Sequence, residues 1–228
     1  TPLNETLVRD LAGGNFIAGA DIRQFGTARA VSTRDSAKVL DASEKPVVAA
    51  IDGYALGGGL EHALACHYRI GTARAKLGLP EVTLGIIPGG GGTQRLPRLI
   101  GPEAAADLIV SGRHASADEA LRLGLLDVLT DASDLRAAAI RYARSVADVR
   151  PLPRVSERGD RIAAAAADPA MLESLRKSVA RKARHLKAPL EAMACIEAAV
   201  QRPFDEGLLL EQRRFAELEN ADEAKALR

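Results

Sequence analysis

Aromatic residues are scarce in this 228-residue chain, at 3%, and tryptophan is absent. A surface that stacks nucleic-acid bases on rings has little to be built from. Charge of one sign is also lacking: Lys plus Arg number 31 and Asp plus Glu 30, a net charge of +1. That balance indicates neither a basic nucleic-acid binder nor an acidic tail. Cysteine occurs only at Cys66 and Cys195, each within an Ala-rich apolar stretch. One pair makes no disulfide framework, so two buried thiols in a reducing compartment are expected. No apolar run approaches the ~20 residues that span a bilayer, so no membrane span is expected. Residues 1–10 have neither the basic start nor the apolar centre of a secretory signal, and a cytoplasmic location follows as the expectation. What remains is 47% hydrophobic and 27% charged, the balance of a folded chain with one sizeable core or one domain with a helical appendage.

Composition changes near Pro151. Most glycines lie before it, mixed with short Val/Ile/Leu runs, and the text after it is rich in Ala, Glu and Arg. Residues 47–51 form a continuous apolar run between Pro46 and Asp52-Gly53, the pattern of a strand buried on both faces. A glycine run at 57–59 leads into a helical sequence at 60–66, and 68–72 reads as another strand. A helix over 104–110 is stopped by Gly112. Ser116 caps the next helix, with Glu119 completing a capping box, and Gly124 ends it. A strand is predicted over 125–129, then a helix over 135–146 started by Ser133. This alternation is that of an α/β fold with parallel strands. Beyond it, 171–186, 190–201 and 204–218 read as amphipathic helices punctuated by Pro189 and Pro203. Residues 1–150 are thus expected to form the α/β core that carries a site, and 151–228 a helical region that caps, oligomerises or links to a following domain.

The stretch Asp52-Gly-Tyr-Ala-Leu-Gly-Gly-Gly-Leu-Glu61 runs a strand into a glycine turn that opens a helix. Glycines let backbone N–H groups approach a ligand, and the first N–H groups of a helix sit unpaired at its positive end. Together they suit a phosphate or an oxyanion, or serve simply as a tight turn. A second turn, Phe16-Ile-Ala-Gly-Ala-Asp21, offers a bare N–H in the same way. Neither place carries a dinucleotide fingerprint or a Walker A lysine, and no Gly-x-Ser-x-Gly elbow occurs. His62 and His67 lack the company a zinc site needs. Glu61 and Glu81 are acids among apolar neighbours. Burial raises a carboxyl pKa toward values useful for proton transfer; salt bridges to Arg69 or Arg95 would give them a structural role instead. A third glycine turn, residues 87–96, either walls a pocket or is a flexible connection capped by Thr93. Arg176 to Lys187 is a basic helix face, read as a solvated face or as a surface for an acidic partner or a phosphate-bearing ligand.

Taken together, Phe16-Ile-Ala-Gly-Ala-Asp-Ile, Lys45-Pro-Val-Val-Ala-Ala-Ile-Asp-Gly-Tyr-Ala-Leu-Gly-Gly-Gly-Leu-Glu61, Leu77-Gly-Leu-Pro-Glu81-Val and Ile86-Ile-Pro-Gly-Gly-Gly-Gly-Thr-Gln-Arg-Leu resemble the crotonase, or enoyl-CoA hydratase/isomerase, superfamily. The helical remainder resembles the hydratase half of bifunctional hydratase/3-hydroxyacyl-CoA dehydrogenases of fatty-acid β-oxidation. The resemblance implies a crotonase-type ββα spiral with a C-terminal helical region. It implies an oxyanion hole from the backbone N–H groups of Ala20 and Gly58, and catalytic Glu61 and Glu81, with Ala18, Asp21, Ile22, Gly57, Pro88 and Gly89 around the acyl-CoA. Glu61 would take a proton from water attacking C3, and Glu81 would deliver one to C2. The thioester is the substrate; no metal or redox cofactor is implied. In a eukaryote the location would be the peroxisomal or mitochondrial matrix, and the partner a second copy or a covalently attached dehydrogenase domain.

Enoyl-CoA isomerisation at the same site, or acyl-CoA binding without turnover, are the alternatives. The resemblance also implies a strand, a helix and a second strand before the Ala-Gly-Ala-Asp motif. Residues 1–14 are too few for that unit, because a parallel crossover takes ~10–12 residues in its connection alone. Residues missing between Asp10 and Leu11 are favoured over a truncated domain. His62 stands where an apolar residue is expected, and would either alter the local pKa or turn away.

Overall fold

The computed structural model describes residues 16, 32–183 and 186–227. The expected break at Asp10 and Leu11 lies outside these residues, as do Ala18, Ala20, Asp21 and Ile22. Helix α1 (Thr33–Asp41) comes first, with the Ser32 hydroxyl accepting the Asp35 N–H at its start, 3.1 Å away. A strand–strand–helix unit then repeats. Its first copy is β1 (Val48–Ile51), β2 (Tyr54–Leu56) and α2 (Gly58–Ala65). The second is β3 (Tyr68–Thr72), β4 (Lys76–Gly78), a 3₁₀ turn over Pro80–Leu84 and α3 (Gly92–Ile100).

The first strands of each unit pair in parallel, Val48 opposite Tyr68 through Ile51 opposite Gly71. The second strands pair likewise, from Tyr54 opposite Lys76 to Leu56 opposite Gly78. The chain therefore climbs as a spiral with two sheets. Helix α4 (Pro102–Ser111) leads to β5 (Ala115–Ser116), α5 (Ala117–Leu123) and β6 (Val128–Thr130). They complete the sheet orders β1-β3-β6 and β2-β4-β5. The β4–β5 pair is antiparallel, a departure from the all-parallel expectation. Helices α6 (Leu135–Ser145), α7 (Asp160–Ala166), α8 (Pro169–Ala183), α9 (Lys187–Gln201), α10 (Phe204–Glu219) and α11 (Asp222–Leu227) follow.

Several boundaries differ from expectation for identifiable reasons. The strand predicted over 125–129 is β6, three residues later at its start. The N–H groups of Leu125 and Leu126 instead fold back onto the Ala120 carbonyl at 2.8 and 3.0 Å, and both side chains are buried. Ser133 lies in a 3₁₀ turn, Ala132–Asp134, and α6 starts after it. Pro189 sits in the first turn of α9 rather than before it, where its missing N–H removes no helical bond.

The main core joins both halves. Ile51, Leu60, Leu64, Leu77 and Leu79 of the spiral share one apolar cluster with Ala192, Met193 and Ile196 of α9. Helix α9 lies across α3 and α4. Cys66 and Cys195 are free and buried, and burial pushes both thiols up to about 12. No helix among the described residues is long and apolar enough to cross a membrane.

Candidate active site

Helix α2 starts on Gly57, whose φ of 54° lies in the left-handed region that disfavours side chains. Its N–H is held by the Gly78 carbonyl of β4 at 3.0 Å, so the second sheet fixes where the helix begins. Gly58 follows, and a Cβ there would lie 3.2 Å from the Thr33 Oγ of α1. Its N–H belongs to the first turn, which has no acceptor within the helix and points along the positive end of the dipole. The companion donor expected at Ala20, and the expected lining residues Ala18, Asp21 and Ile22, lie outside the described residues.

Glu61 is on the same first turn and only 3% exposed. Its Oε1 accepts two backbone bonds, from Gly90 N at 2.7 Å and Gly92 N at 2.8 Å. A Cβ on Gly90 would come 2.6 Å from Glu61 Oε2, so that glycine is what lets the carboxyl seat. Burial pushes the Glu61 pKa up, while the two N–H bonds and the Arg95 and Arg34 cations pull against it. Glu81 stands at the start of the Pro80–Leu84 turn, half-buried, with Oε2 buried and without a hydrogen-bond partner. Burial and the charge of Glu61, with a further push from Glu211, raise it well above the ordinary carboxyl range. Neither acid is salt-bridged to Arg69 or Arg95. Arg69 bonds the Leu125 and Cys66 carbonyls and lies 3.6 Å from Asp127. Arg95 lies 3.6 Å from Asp41 and donates to the Gly90 carbonyl at 3.2 Å.

The structure adds a third carboxyl that sequence reading missed. Glu211 of α10 is fully buried. Its Oε1 accepts Gly91 N at 2.7 Å, and its Oε2 accepts Thr93 N at 3.0 Å and the Thr93 hydroxyl at 2.6 Å. Burial and the charge of Glu61 push it up to about 8. The available signal was its place on the helix face it shares with Gly207 and Leu208, four and three residues earlier, which are also buried.

The glycine turn at residues 87–96 is accordingly neither a flexible connection nor capped by Thr93. Helix α3 is capped by Gly91 at a φ of 104°, and the Thr93 hydroxyl goes to Glu211. Pro88 is buried, and Gly89 is half-buried with its carbonyl accepting Arg34 Nη2 at 3.0 Å. His62 turns away from the carboxyls: its ring nitrogens meet Ser36 Oγ at 2.5 Å and the Gly58 carbonyl at 2.6 Å. On the basic face of α8, Arg176 bonds Glu197 at 2.7 Å and Lys177 lies 3.4 Å from Glu173, the internal pairing of a solvated face. Among the described residues no group of three or more His, Cys, Asp or Glu could hold a metal ion.

Glu61, Glu81 and Glu211 thus lie within electrostatic reach of one another. The charge of Glu61 raises the other two, so ionisation of all three together is disfavoured. A carboxylate and a protonated carboxyl side by side can take a proton from one atom and give one to another.

Known proteins carry the same arrangement of chain. A family profile described as enoyl-CoA hydratase/isomerase matches residues 11–158. The peroxisomal bifunctional enzyme of Danio rerio is 45% identical over 218 residues, which is 94% of this chain and 30% of that protein. The peroxisomal fatty acid beta-oxidation multifunctional protein of Arabidopsis thaliana is 37% identical over 224 residues, covering 94% of this chain and 31% of that one. The chain therefore spans under a third of the length of these relatives. The structure of an enoyl-CoA hydratase from Thermoplasma volcanium GSS1 aligns with a TM-score of 0.55 at 26% identity, over 94% of this chain and 74% of that one. The spiral, its glycine turns and the extent of these matches lead to one conclusion: the chain belongs to the enoyl-CoA hydratase/isomerase family.

Proposed function

We propose that this chain adds water to trans-2-enoyl-CoA thioesters, giving 3-hydroxyacyl-CoA, as a step of fatty-acid β-oxidation. The observation that carries the reading is the difference between two neighbouring acids, Glu61 and Glu81. Glu61 has two N–H donors and nearby cations; Glu81 has an unpartnered buried oxygen. Glu61 is the carboxylate that takes a proton from water as its oxygen bonds to C3. The C2=C3 electron pair moves onto the thioester, whose oxygen gains negative charge. The Gly58 N–H, with the Ala20 N–H assigned by motif, stabilises that charge. Glu81 then gives its proton to C2 as the thioester carbonyl reforms. The proton left on Glu61 then returns to Glu81, directly or through solvent, which restores the site, and the coenzyme A thioester enters as substrate.

The names of the relatives support a longer bifunctional or multifunctional protein of fatty-acid β-oxidation, with this chain as its hydratase part; a covalently attached dehydrogenase domain that oxidises the 3-hydroxyl is the partner the resemblance implies. They support a peroxisomal matrix location where the host is eukaryotic. A second reading is movement of a double bond by one acid shuttling a proton between C2 and C4; the presence of both acids favours hydration over it.

Hydration of crotonyl-CoA by the full natural chain, followed as loss of the conjugated enoyl-thioester absorbance, tests the proposal. Wild type is expected to turn over, and Glu81→Gln to lose about 10²-fold or more in kcat with KM little changed. Binding of crotonyl-CoA with no turnover by wild type would overturn it, and conversion of a 3-enoyl-CoA to its 2-enoyl isomer alone would establish the second reading.

A further inference from the structure

Four consecutive N–H groups cross the head of α3, and they alternate in direction. Those of Gly90 and Gly92 go to Glu61, and those of Gly91 and Thr93 go to Glu211. Three of these residues are glycines, with no side chain to hold the turn. The two carboxyls therefore hold its N–H groups, while Arg34 and Arg95 hold the Gly89 and Gly90 carbonyls. One carboxyl belongs to α2 in the spiral, the other to α10 near the end of the chain.

The approach of α10 is built in. A Cβ on Gly207, one helical turn before Glu211, would lie 1.9 Å from Gln94 Oε1, so any side chain there would displace Gln94. Gln94 Nε2 in turn donates to Thr93 Oγ at 3.0 Å and to the Cys195 carbonyl of α9 at 2.9 Å. A fully buried carboxyl is costly, and no cation figures among the main influences on Glu211, whereas Arg95 and Arg34 act on Glu61. The groups that face the turn are Glu61 from α2, Glu81 from the 3₁₀ turn, Arg34 from α1, Arg95 from α3 and Cys195 from α9.

We propose that Glu211 is a positioning residue of the hydration site. From α10 it fixes Gly91 and Thr93 so that the N–H groups of Gly90 and Gly92 stay aimed at Glu61, which sets the orientation and the ionisation of that carboxylate. The proposal rests on the hydratase reading for its effect on rate, and on geometry alone for its effect on Glu61.

The test uses the full chain with Glu211→Gln, Thr93→Val and Thr93→Ser. Two quantities are read: crotonyl-CoA hydration across pH, and the titration of the Glu61 carboxyl by carbon-13 NMR, assigned with Glu61→Gln. In Glu211→Gln, kcat is expected to fall about 10²-fold with KM changed less than about threefold, because misplacement of about 1 Å costs that much. The Glu61 titration is expected to move to higher pH as its N–H bonds loosen. Thr93→Val should shift both in the same direction by less, and Thr93→Ser should restore them.

The sign of the Glu61 shift separates two causes. Loosened N–H bonds move it up, whereas loss of a repelling Glu211 charge moves it down; a downward shift would mean that Glu211 acts by repulsion, and would overturn the proposal. Wild-type kcat and an unmoved Glu61 titration in folded Glu211→Gln would reduce Glu211 to a staple between helices. If Glu211→Gln does not fold, the same null result in Thr93→Val overturns it. If wild type does not hydrate crotonyl-CoA, the hydratase reading falls, and the Glu61 titration still decides the positioning role.

Discussion

Glu61, Glu81 and Glu211 begin with the same functional group and the same reference pKa of 4.5, and the fold moves all three upward. Desolvation is the leading cause in each, so the differences come from what else each carboxyl touches. Hydrogen-bond donors hold Glu61 and Glu211 back, and Glu81 has only its own backbone N–H to do so. Stability should follow from this. A carboxyl with a raised folded pKa binds more protons folded than unfolded between the two values, so unfolding free energy falls as pH rises through that window. For Glu211 the window runs from 4.5 to about 8. Melting temperature is expected to fall from pH 5 to pH 8 in wild type, and to fall less steeply in Glu211→Gln; equal slopes, measured by circular dichroism, would contradict the raised pKa. Candidate residues were legible where chemistry was local in sequence. Glu61 stands beside its own glycine turn and Glu81 follows Pro80. Glu211 escaped because its partners lie 118 and 120 residues away, and a helix reading has no means to see them.

Elements were legible where their ends are set by neighbouring residues. Ser116 caps α5, accepting the Glu119 N–H at 3.3 Å, and Gly112 and Gly124 close α4 and α5 in the left-handed conformation. Replacing Ser116 by alanine leaves that N–H without its side-chain acceptor. The expected loss is about 1 kcal/mol, read as a shift in urea midpoint at constant slope. The same change should leave crotonyl-CoA hydration untouched, since α5 carries none of the three carboxyls. Strand limits were less legible, because a ladder depends on a partner far along the chain. β6 begins where Asp127 N meets the Arg69 carbonyl at 2.8 Å, and the apolar pair Leu125–Leu126 that extended the predicted strand is used for packing instead. The turn before α3 shows the same limit: its glycines announced a close approach, but the carboxyls that make it come from α2 and α10.

At the scale of the whole molecule, the spiral and the C-terminal helices share one apolar core, and two of the three site carboxyls come from the spiral while the third comes from α10. A site divided in this way requires that the two halves hold together. Ile196 of α9 is fully buried in the shared cluster. Ile196→Ala is expected to cost about 2–5 kcal/mol through lost burial and the cavity left behind. The distribution of tyrosine supplies an internal probe. The chain has three tyrosines, no tryptophan, and all of its tyrosines, Tyr54, Tyr68 and Tyr142, lie before Pro151. Tyr68 of β3 and Tyr142 of α6 meet edge to face at 5.5 Å, in a small apolar cluster that includes no residue of α9. Near-ultraviolet circular dichroism of tyrosine therefore reports on the spiral, and the far-ultraviolet signal is weighted toward helices. If the core unfolds as one unit, Ile196→Ala lowers both transitions together, although the mutated helix holds no tyrosine. A tyrosine transition left at its wild-type position, with the helical signal split in two, would mean that the helices unfold alone and that the Glu211 grip on the glycine turn can be released without unfolding the spiral.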